Sequence, residues 1–232
     1  MVFLSIPSLL LLPASLYLCR PAADTIPTVE SQKTPPGSIP LLREAITNRN
    51  YCFLLAGFFT CGFHMAIIET HLYTQITTYG FEQKIAAYAF SAYGISTLVG
   101  SIISGALCGH FSMKNVLGGL YASRVTMVLL FLVLPKNLIT IFAFAALLGL
   151  TGNATVPPTF GITEHLYGAA KLATLFGVVF FSHQIGSFFS AWLGGICLTV
   201  TGNYTFIWLA DVALSIMAAA VSFKIQGTGD RN

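Results

Sequence analysis

Charged side chains are scarce in this sequence, and that scarcity limits the class of protein. Eleven Lys or Arg and eight Asp or Glu occur among 232 residues, which makes 8% charged. Soluble domains carry about 25%, and so few charges cannot cover the surface of a soluble globule. Hydrophobic residues make up 55% of the chain, and the mean hydropathy is +0.78. The composition predicts a protein that crosses a membrane several times.

Motifs of catalysis and metal binding are also absent from the sequence. It contains no Walker loop, no GxSxG string, no HExxH string and no pair of catalytic carboxylates. Its five cysteines include no CxxC pair, so a zinc or disulfide framework is not expected. We therefore predict no enzyme activity, no cofactor, no metal and no nucleic-acid partner.

Long apolar runs fill the second part of the chain. A membrane-spanning helix needs about 20 apolar residues, and six runs of that order occur, at residues 51–76, 86–109, 116–134, 138–159, 172–199 and 204–223. Short turns separate them, so neighbouring spans are expected to be antiparallel. The prediction is an all-α integral membrane protein whose six-helix bundle covers residues 49–224.

The first 48 residues have a different character. Residues 1–20 are apolar but interrupted by prolines, and they lack the basic start and small-residue cleavage site of a signal peptide. We predict that they end a preceding membrane helix. Residues 21–48 are rich in Pro, Ser and Thr, which predicts a cytoplasmic linker with a short amphipathic helix at LLREAI.

Basic residues predict the orientation, because they collect on the cytoplasmic side of membrane proteins. One side would hold eight of them, namely Arg20, Lys33, Arg43, Arg49, Lys114, Lys171, Lys224 and Arg231. The other side would hold only Lys84 and Lys136. The linker and the tail at residues 225–232 are therefore predicted to be cytoplasmic.

The first full span contains ionisable residues in the stretch GFFTCGFHMAIIETHLYTQ. At 100° per residue, Thr60, His71 and Gln75 lie within roughly 40° of His64 around the helix, whereas Glu69 lies roughly 140° away. The four residues predict a polar stripe that lines a cavity or contacts substrate, and interhelical hydrogen bonding is the alternative. A shared metal ion is disfavoured, because His64 and His71 would be ~10.5 Å apart along the axis.

Two further charges lie inside apolar spans. Arg124 lies about eight residues, or ~12 Å, into its span, and a guanidinium at that depth can hold a carboxylate. A structural ion pair or snorkelling to the headgroups is the alternative. Asp211 has no opposite charge within one turn of its own helix, so it needs a partner from another helix or takes up a proton. Asp211 and Glu69 are the candidates for proton coupling, and for Glu69 the alternative is a tolerated outlier near the outer third of its helix.

Small residues and prolines predict close packing and a helix break. Ser101, Gly105 and Gly109 form an i, i+4, i+8 ridge that would let two helices approach closely. The stretch GLTGNATVPPTF is expected to bend or break its helix, because proline lacks the backbone donor.

Five strings, in order and with regular spacing, carry a resemblance that none of them carries alone. They are LLREAITNRNYCFLLAGFFTCGFHMAIIETHLYTQ, LVGSIISGALCGHFSMKNVLGGLYASR, LLGLTGNATVPPTFG, TLFGVVFFSHQIGSFFSAWLGG and TGNYTFIWLADVAL. Together they cover about residues 40–224 and resemble the C-terminal half of a major facilitator superfamily transporter. The similarity is to bacterial members allied to the monocarboxylate and oxalate/formate carriers.

The resemblance implies a fold and a function. The six spans would be helices 7 to 12 of a twelve-helix carrier in a bacterial inner membrane. The carrier would move a small organic anion, such as a monocarboxylate, by alternating access, with a proton as the candidate coupled ion. The string FFSHQIGSFF makes His183 and Gln184 candidate site residues, and helix turn angles place Ser187 and Ser190 within roughly 40° of His183. The alternative is that these Ser and His side chains hydrogen-bond neighbouring helices. The chain would need a separate N-terminal six-helix half or a second copy.

Two departures from the family pattern favour a rival reading. The family has a Gly-x-x-x-Asp-Arg type signature after helix 8, and Gly109 and His110 stand where the two charges are expected. Six helices of the twelve are not part of this sequence. The alternative is a membrane subunit or transporter fragment that packs against partners and does not itself transport.

Overall fold

The computed structural model describes residues 38–226, which form helices joined by short turns and contain no strand. The α-helices are α1 (Ser38–Thr47), α2 (Arg49–Ile67), α3 (Tyr73–Thr78), α4 (Gln83–His110), α5 (Met113–Val133), α6 (Leu138–Thr151), α7 (Val156–Tyr167), α8 (Ala169–Thr201) and α9 (Thr205–Phe223). A π-helical turn (Ile68–Leu72) joins α2 to α3, and a 3₁₀ turn (Asn153–Thr155) joins α6 to α7. The predicted all-α class is confirmed.

Six of the resulting continuous segments are long and apolar enough to cross a membrane. They are Arg49–Thr78, Gln83–His110, Met113–Val133, Leu138–Tyr167, Ala169–Thr201 and Thr205–Phe223. Each predicted span falls within one of these segments or differs from it by one residue at an end. The predicted end of an earlier helix at residues 1–20 and most of the predicted linker lie outside the described residues. So does the tail beyond residue 226.

Asparagine side chains cap the N-termini of two helices. Asn48 precedes α2, and its side chain accepts a hydrogen bond from the Asn50 amide. Asn137 precedes α6 in the same way and accepts from the amide of Thr140. Such caps satisfy amides that have no partner within the helix. The turn after α8 depends on Gly202, whose φ of +70° suits glycine.

The helices pack most closely as three pairs, each with a glycine at the contact. A Cβ added to Gly62 on α2 would lie 1.9 Å from the His183 carbonyl oxygen on α8. A Cβ on Gly100 of α4 would lie 2.0 Å from backbone oxygen of α6, and one on Gly118 of α5 would lie 2.7 Å from the Phe223 ring of α9. Larger residues would force these pairs apart. The pairs are therefore α2 with α8, α4 with α6, and α5 with α9.

The predicted ridge of Ser101, Gly105 and Gly109 is not the contact face of α4. Within the described chain, a Cβ added to Gly105 or Gly109 would meet nothing within 4 Å. Gly100 and Gly149 make the close approach between α4 and α6 instead. The spacing of small residues alone does not distinguish the face that packs inside this bundle from a face that points away from it.

Candidate functional site

The first span is not a regular helix at the position of its ionisable residues. The π-helical turn at Ile68–Leu72 takes more residues per turn than an α-helix, so the rotation per residue is smaller there. Side chains beyond Ile68 therefore lie at other angles than an unbroken helix predicts. Within the predicted stripe, His64 and Gln75 both lie against Trp208 of α9, whereas His71 contacts α8.

His64 faces α9 and forms a buried pair with Asp211. The His64 Nδ1 atom lies 2.7 Å from Asp211 Oδ2, and both side chains have no exposed surface. Because an ionised carboxylate only accepts, Nδ1 carries the proton in this contact. Within the described chain, the remaining His64 Nε2 and Asp211 Oδ1 atoms have no hydrogen-bond partner. The sequence required a partner for Asp211, and the structure supplies it from a residue 147 positions away.

Arg124 is fully buried and binds backbone carbonyls where a helix is broken. Its Nη2 atom donates to the carbonyls of Thr151 at 2.5 Å and Gly152 at 3.0 Å, and its guanidinium lies 5.2 Å from the Tyr121 ring centroid. Its Nε and Nη1 atoms have no partner within residues 38–226. Arg124 also interacts electrostatically with Asp211, so the two charges belong to one polar centre.

The helix break that Arg124 binds follows from the sequence around Gly152. Helix α6 ends at Thr151, and α7 carries prolines at its start. A proline cannot donate to the carbonyl four residues earlier, and for Pro158 that carbonyl belongs to Ala154. Ser104 of α4 donates to the Ala154 carbonyl instead, at 2.5 Å. Side chains from α4 and α5 therefore replace backbone donors at the break.

Cys61 lies beside this break and was not predicted as a site residue. Its Sγ atom lies 3.0 Å from Thr155 Oγ1 and 3.7 Å from Arg124 Nη2. It also interacts electrostatically with His183. Cys61 precedes His64 by three residues, so it lies on the neighbouring part of the same helix face. That spacing is the only sequence signal that could have indicated it.

His71 contacts α8, whereas His64 contacts α9. Its Nε2 atom donates to the Ala191 carbonyl at 3.0 Å, and its ring lies 5.3 Å from the Tyr204 ring. Gly194 leaves room for the imidazole, because an added Cβ there would lie 2.3 Å from Nε2. Tyr204 lies between two spans, and partial burial raises the pKa of its phenol. His71 is thus packed between α8 and the turn that follows it.

Gln75 and Thr60 have their hydrogen bonds satisfied inside the bundle. Trp208 Nε1 donates to Gln75 Oε1 at 2.9 Å, and Gln75 Nε2 donates to the Tyr79 hydroxyl at 2.7 Å. The Thr60 hydroxyl donates to the Ala56 carbonyl of its own helix at 3.1 Å. Both side chains are almost completely buried. Gln75 thus links the first span to α9, whereas Thr60 bonds only within α2.

The second predicted stripe, on α8, is divided between an inner and an outer face. The His183 ring stacks on Phe180 at 5.3 Å and lies 5.2 Å from Phe58, while Gln184 is exposed. Ser187 donates to the Gly62 carbonyl at 3.1 Å, so it secures the contact between α8 and α2. In the part of the chain that the structure describes, His183 Nδ1 is buried without a partner.

Glu69 lies in the π-helical turn and is exposed on the bundle surface. It interacts electrostatically with His183 of α8 and with Tyr93 of α4. The turn thus places an acidic side chain near residues of two other spans. Among residues 38–226, no group of three or more His, Cys, Asp or Glu is close enough to hold a metal ion.

A match to a known family covers most of these elements. Residues 76–230, more than half of the chain, match the family described as Major Facilitator Superfamily. The chain belongs to the major facilitator superfamily. The resemblance to the superfamily is confirmed, and so are the multi-pass membrane class and the prediction that the chain is not an enzyme. The assignment to the C-terminal half stays a prediction.

The chain is also similar in sequence to individual members of the superfamily. The uncharacterised MFS-type transporter YcxA of Bacillus subtilis is 26% identical over 178 residues, which are 75% of this chain and 42% of the relative. Monocarboxylate transporter 13 of Rattus norvegicus is 27% identical over 163 residues, or 68% and 35%. The uncharacterised transporter YybO of Bacillus subtilis is 28% identical over 214 residues, or 87% and 48%. The chain spans less than half the length of each of these superfamily members.

Proposed function

We propose that the chain is the C-terminal half of a twelve-helix carrier that moves a small organic anion, such as a monocarboxylate, by alternating access. The observation that carries the proposal is the buried polar centre of Arg124, His64 and Asp211. Ionisable residues within a membrane span are expensive and mark substrate or ion pathways. Similarity to proteins named monocarboxylate transporters supports the substrate class.

The polar centre has the groups that an anion and a proton require. Arg124 supplies a fixed positive charge, and its Nε and Nη1 atoms are buried without partners among the described residues. His64 Nε2 is a third unfilled position. A carboxylate that approached Arg124 would gain charge-assisted hydrogen bonds from Nε and Nη1. His64 Nε2 would donate to it only when the imidazole holds a second proton, because Nδ1 carries the first. Asp211, and Glu69 on the open surface, are the groups that would carry the coupled proton.

The surfaces of α4 and α8 support the need for a second bundle. Only 22% of the most apolar stretch of each is buried, against 72% for the span formed by α2 and α3. The Gln184 side chain and the Glu69 carboxyl are exposed outside the bundle, where lipid alone would leave them unsolvated. A separate N-terminal six-helix half, or a second copy of this chain, would cover such groups and complete a substrate cavity.

Basic residues support a cytoplasmic C-terminus. The helix ends near Arg49, Lys114 and Lys171 lie at one end of the antiparallel bundle, because α2, α5 and α8 begin there. Lys84 and Lys136 lie at the other end. By the positive-inside rule, the first end faces the cytoplasm.

One set of contacts favours a second candidate, a membrane subunit that does not transport. Arg124 Nη2 and His64 Nδ1 are already engaged by partners inside the bundle. These bonds would hold helices together without any substrate. His110, exposed where the family carries a charged signature, fits the same reading.

Uptake by the native host cell distinguishes the two candidates. Cells that express the gene from its own locus should take up a labelled short-chain monocarboxylate, and Arg124→Ala and His64→Ala should abolish that uptake at equal protein levels. Thr199→Val, on an exposed part of α8 where the hydroxyl bonds only its own helix, should leave uptake unchanged. Uptake that persists in both site variants would reject the assignment. A gene deletion without effect on uptake would favour the non-transporting subunit.

A further inference from the structure

A polar cavity lies at the end of the bundle where α2 and α5 begin and α9 ends. Its volume is about 560 Å³. Its lining residues come from three elements and are Arg49, Asn50, Lys114, Phe223, Lys224, Ile225 and Gln226. This cavity is separate from the polar centre around Arg124, because none of the residues of that centre lines it.

Positive charge dominates this cavity. The cations that line it are Arg49 of α2, Lys114 of α5 and Lys224, which follows α9, and among the described residues none that lines it is acidic. Helix α2 begins at Arg49 and α5 begins at Met113, so two helix N-termini lie at this end, and the residues at and after the C-terminus of α9 form the third wall. Side-chain cations together with helix N-termini form a site for a phosphate or carboxylate group.

Specific contacts hold the walls of the cavity. Asn50 Nδ2 donates to the Gln226 carbonyl at 3.0 Å, and the Gln226 amide donates back to Asn50 Oδ1 at 3.2 Å. These two bonds fix the chain after α9 against the start of α2. The Arg49 guanidinium lies 5.1 Å from the Phe53 ring centroid, which restrains its position. The cavity is therefore formed by ordered contacts.

The position of Phe223 relates the cavity to the membrane surface. Phe223 is the last residue of a span, lines the cavity and is 49% exposed. Gly118 lets its ring lie against α5. The last residue of an apolar span lies near the border between hydrocarbon and headgroups. A group bound next to the three cations would then lie at headgroup depth.

We propose that this cavity binds the phosphate group of an anionic membrane phospholipid, with the acyl chains along the exposed apolar surface below Phe223. Basic pockets between membrane helices recognise anionic headgroups by this chemistry. The proposal rests on the membrane class of the chain and does not depend on transport.

Native mass spectrometry of the full chain tests this proposal with two lipids. Phosphatidylglycerol should bind more tightly than phosphatidylcholine, which has the same phosphate but no net charge. Arg49→Gln and Lys224→Gln should each weaken phosphatidylglycerol binding about fivefold, and the double variant about 25-fold, from the usual contribution of one basic residue near a membrane surface. Lys171→Gln is the matched control, because Lys171 starts α8 at the same end of the bundle but does not line the cavity. It should leave binding unchanged.

Three outcomes would overturn the proposal. The two lipids could bind equally well, or the Gln variants could bind phosphatidylglycerol like the native chain. Inorganic phosphate could also displace phosphatidylglycerol and bind as tightly as the lipid does. The last result would assign the cavity to free phosphate. Arg49→Lys keeps the charge and should retain binding. If Arg49→Gln does not fold, Lys224→Gln still decides, because this exposed residue follows the end of α9.

Discussion

Replacing the buried His64–Asp211 pair by leucines should show that the two side chains stabilise the bundle as a pair. Both are completely buried, and their nearest atoms are 2.7 Å apart. His64→Leu leaves the Asp211 carboxylate without its partner, which should cost about 3–5 kcal/mol. Asp211→Leu leaves only a neutral imidazole nitrogen unsatisfied, which should cost about 1–3 kcal/mol. Arg124 interacts with Asp211 and should keep the first cost near the lower end of its range.

The double variant tests whether these costs have a common origin. A buried ion pair replaced by apolar residues of similar size is often neutral for stability. Because the double variant leaves neither group unsatisfied and should be near native in stability, it should be more stable than the sum of the two single changes predicts by about 4–6 kcal/mol.

Reversible unfolding in lipid and detergent micelles, by titration with dodecyl sulfate, measures these four stabilities. Trp208 provides an internal probe, because its ring lies 6.5 Å from His64 in an edge-on contact. Hydrogen bonds between membrane helices average about 0.6 kcal/mol in such cycles. A coupling at or below that value would refute the argument that the pair is a charge-assisted contact in a dry interior.

Three other changes have definite expected effects in the same titration. Gly186→Ala would place a Cβ 2.1 Å from backbone oxygen of α2 and should destabilise by about 1–3 kcal/mol, whereas Gly195→Ala, with open space around it, should be neutral or stabilising. Equal effects would show that α2 and α8 do not pack as described. Trp208→Phe removes the donor to buried Gln75 and should cost about 1–3 kcal/mol, and a change without cost would place water at that amide. Arg124→Met leaves two carbonyls at the helix break without their donor and should cost a similar amount, and full stability would indicate other donors there.

The sequence predicted the helical spans well, because a span needs only length and hydropathy. The break after α6 was also predictable, since proline removes a backbone donor wherever it lies. The residue that binds the freed carbonyls was not. Arg124 and Gly152 are 28 positions apart, and only the packing of α5 against α6 brings them together. The sequence indicated that Arg124 and Asp211 needed partners but could not name them.

The directions in which side chains point from the first span were less predictable. A regular turn of 100° per residue is valid up to Ile67 and fails at the π-helical turn that follows. Nothing in the letters IETHL identifies that turn, because its wider winding depends on contacts with neighbouring helices. His71 and Glu69 therefore have neighbours that the helical angles did not predict.

The three glycine contacts described above have a mechanical consequence. Backbone lies directly on backbone or ring at Gly62, Gly100 and Gly118, so each helix pair behaves as one stiff rod. The polar contacts join different rods: His64 with Asp211 links the first to the third, and Arg124 links the third to the second. A change of charge at His64, Asp211 or Arg124 would alter the angles between the helix pairs and leave the packing within each pair unchanged. Close packing at glycines thus forms the three helix pairs of this bundle, and its few buried charges determine how the pairs are arranged.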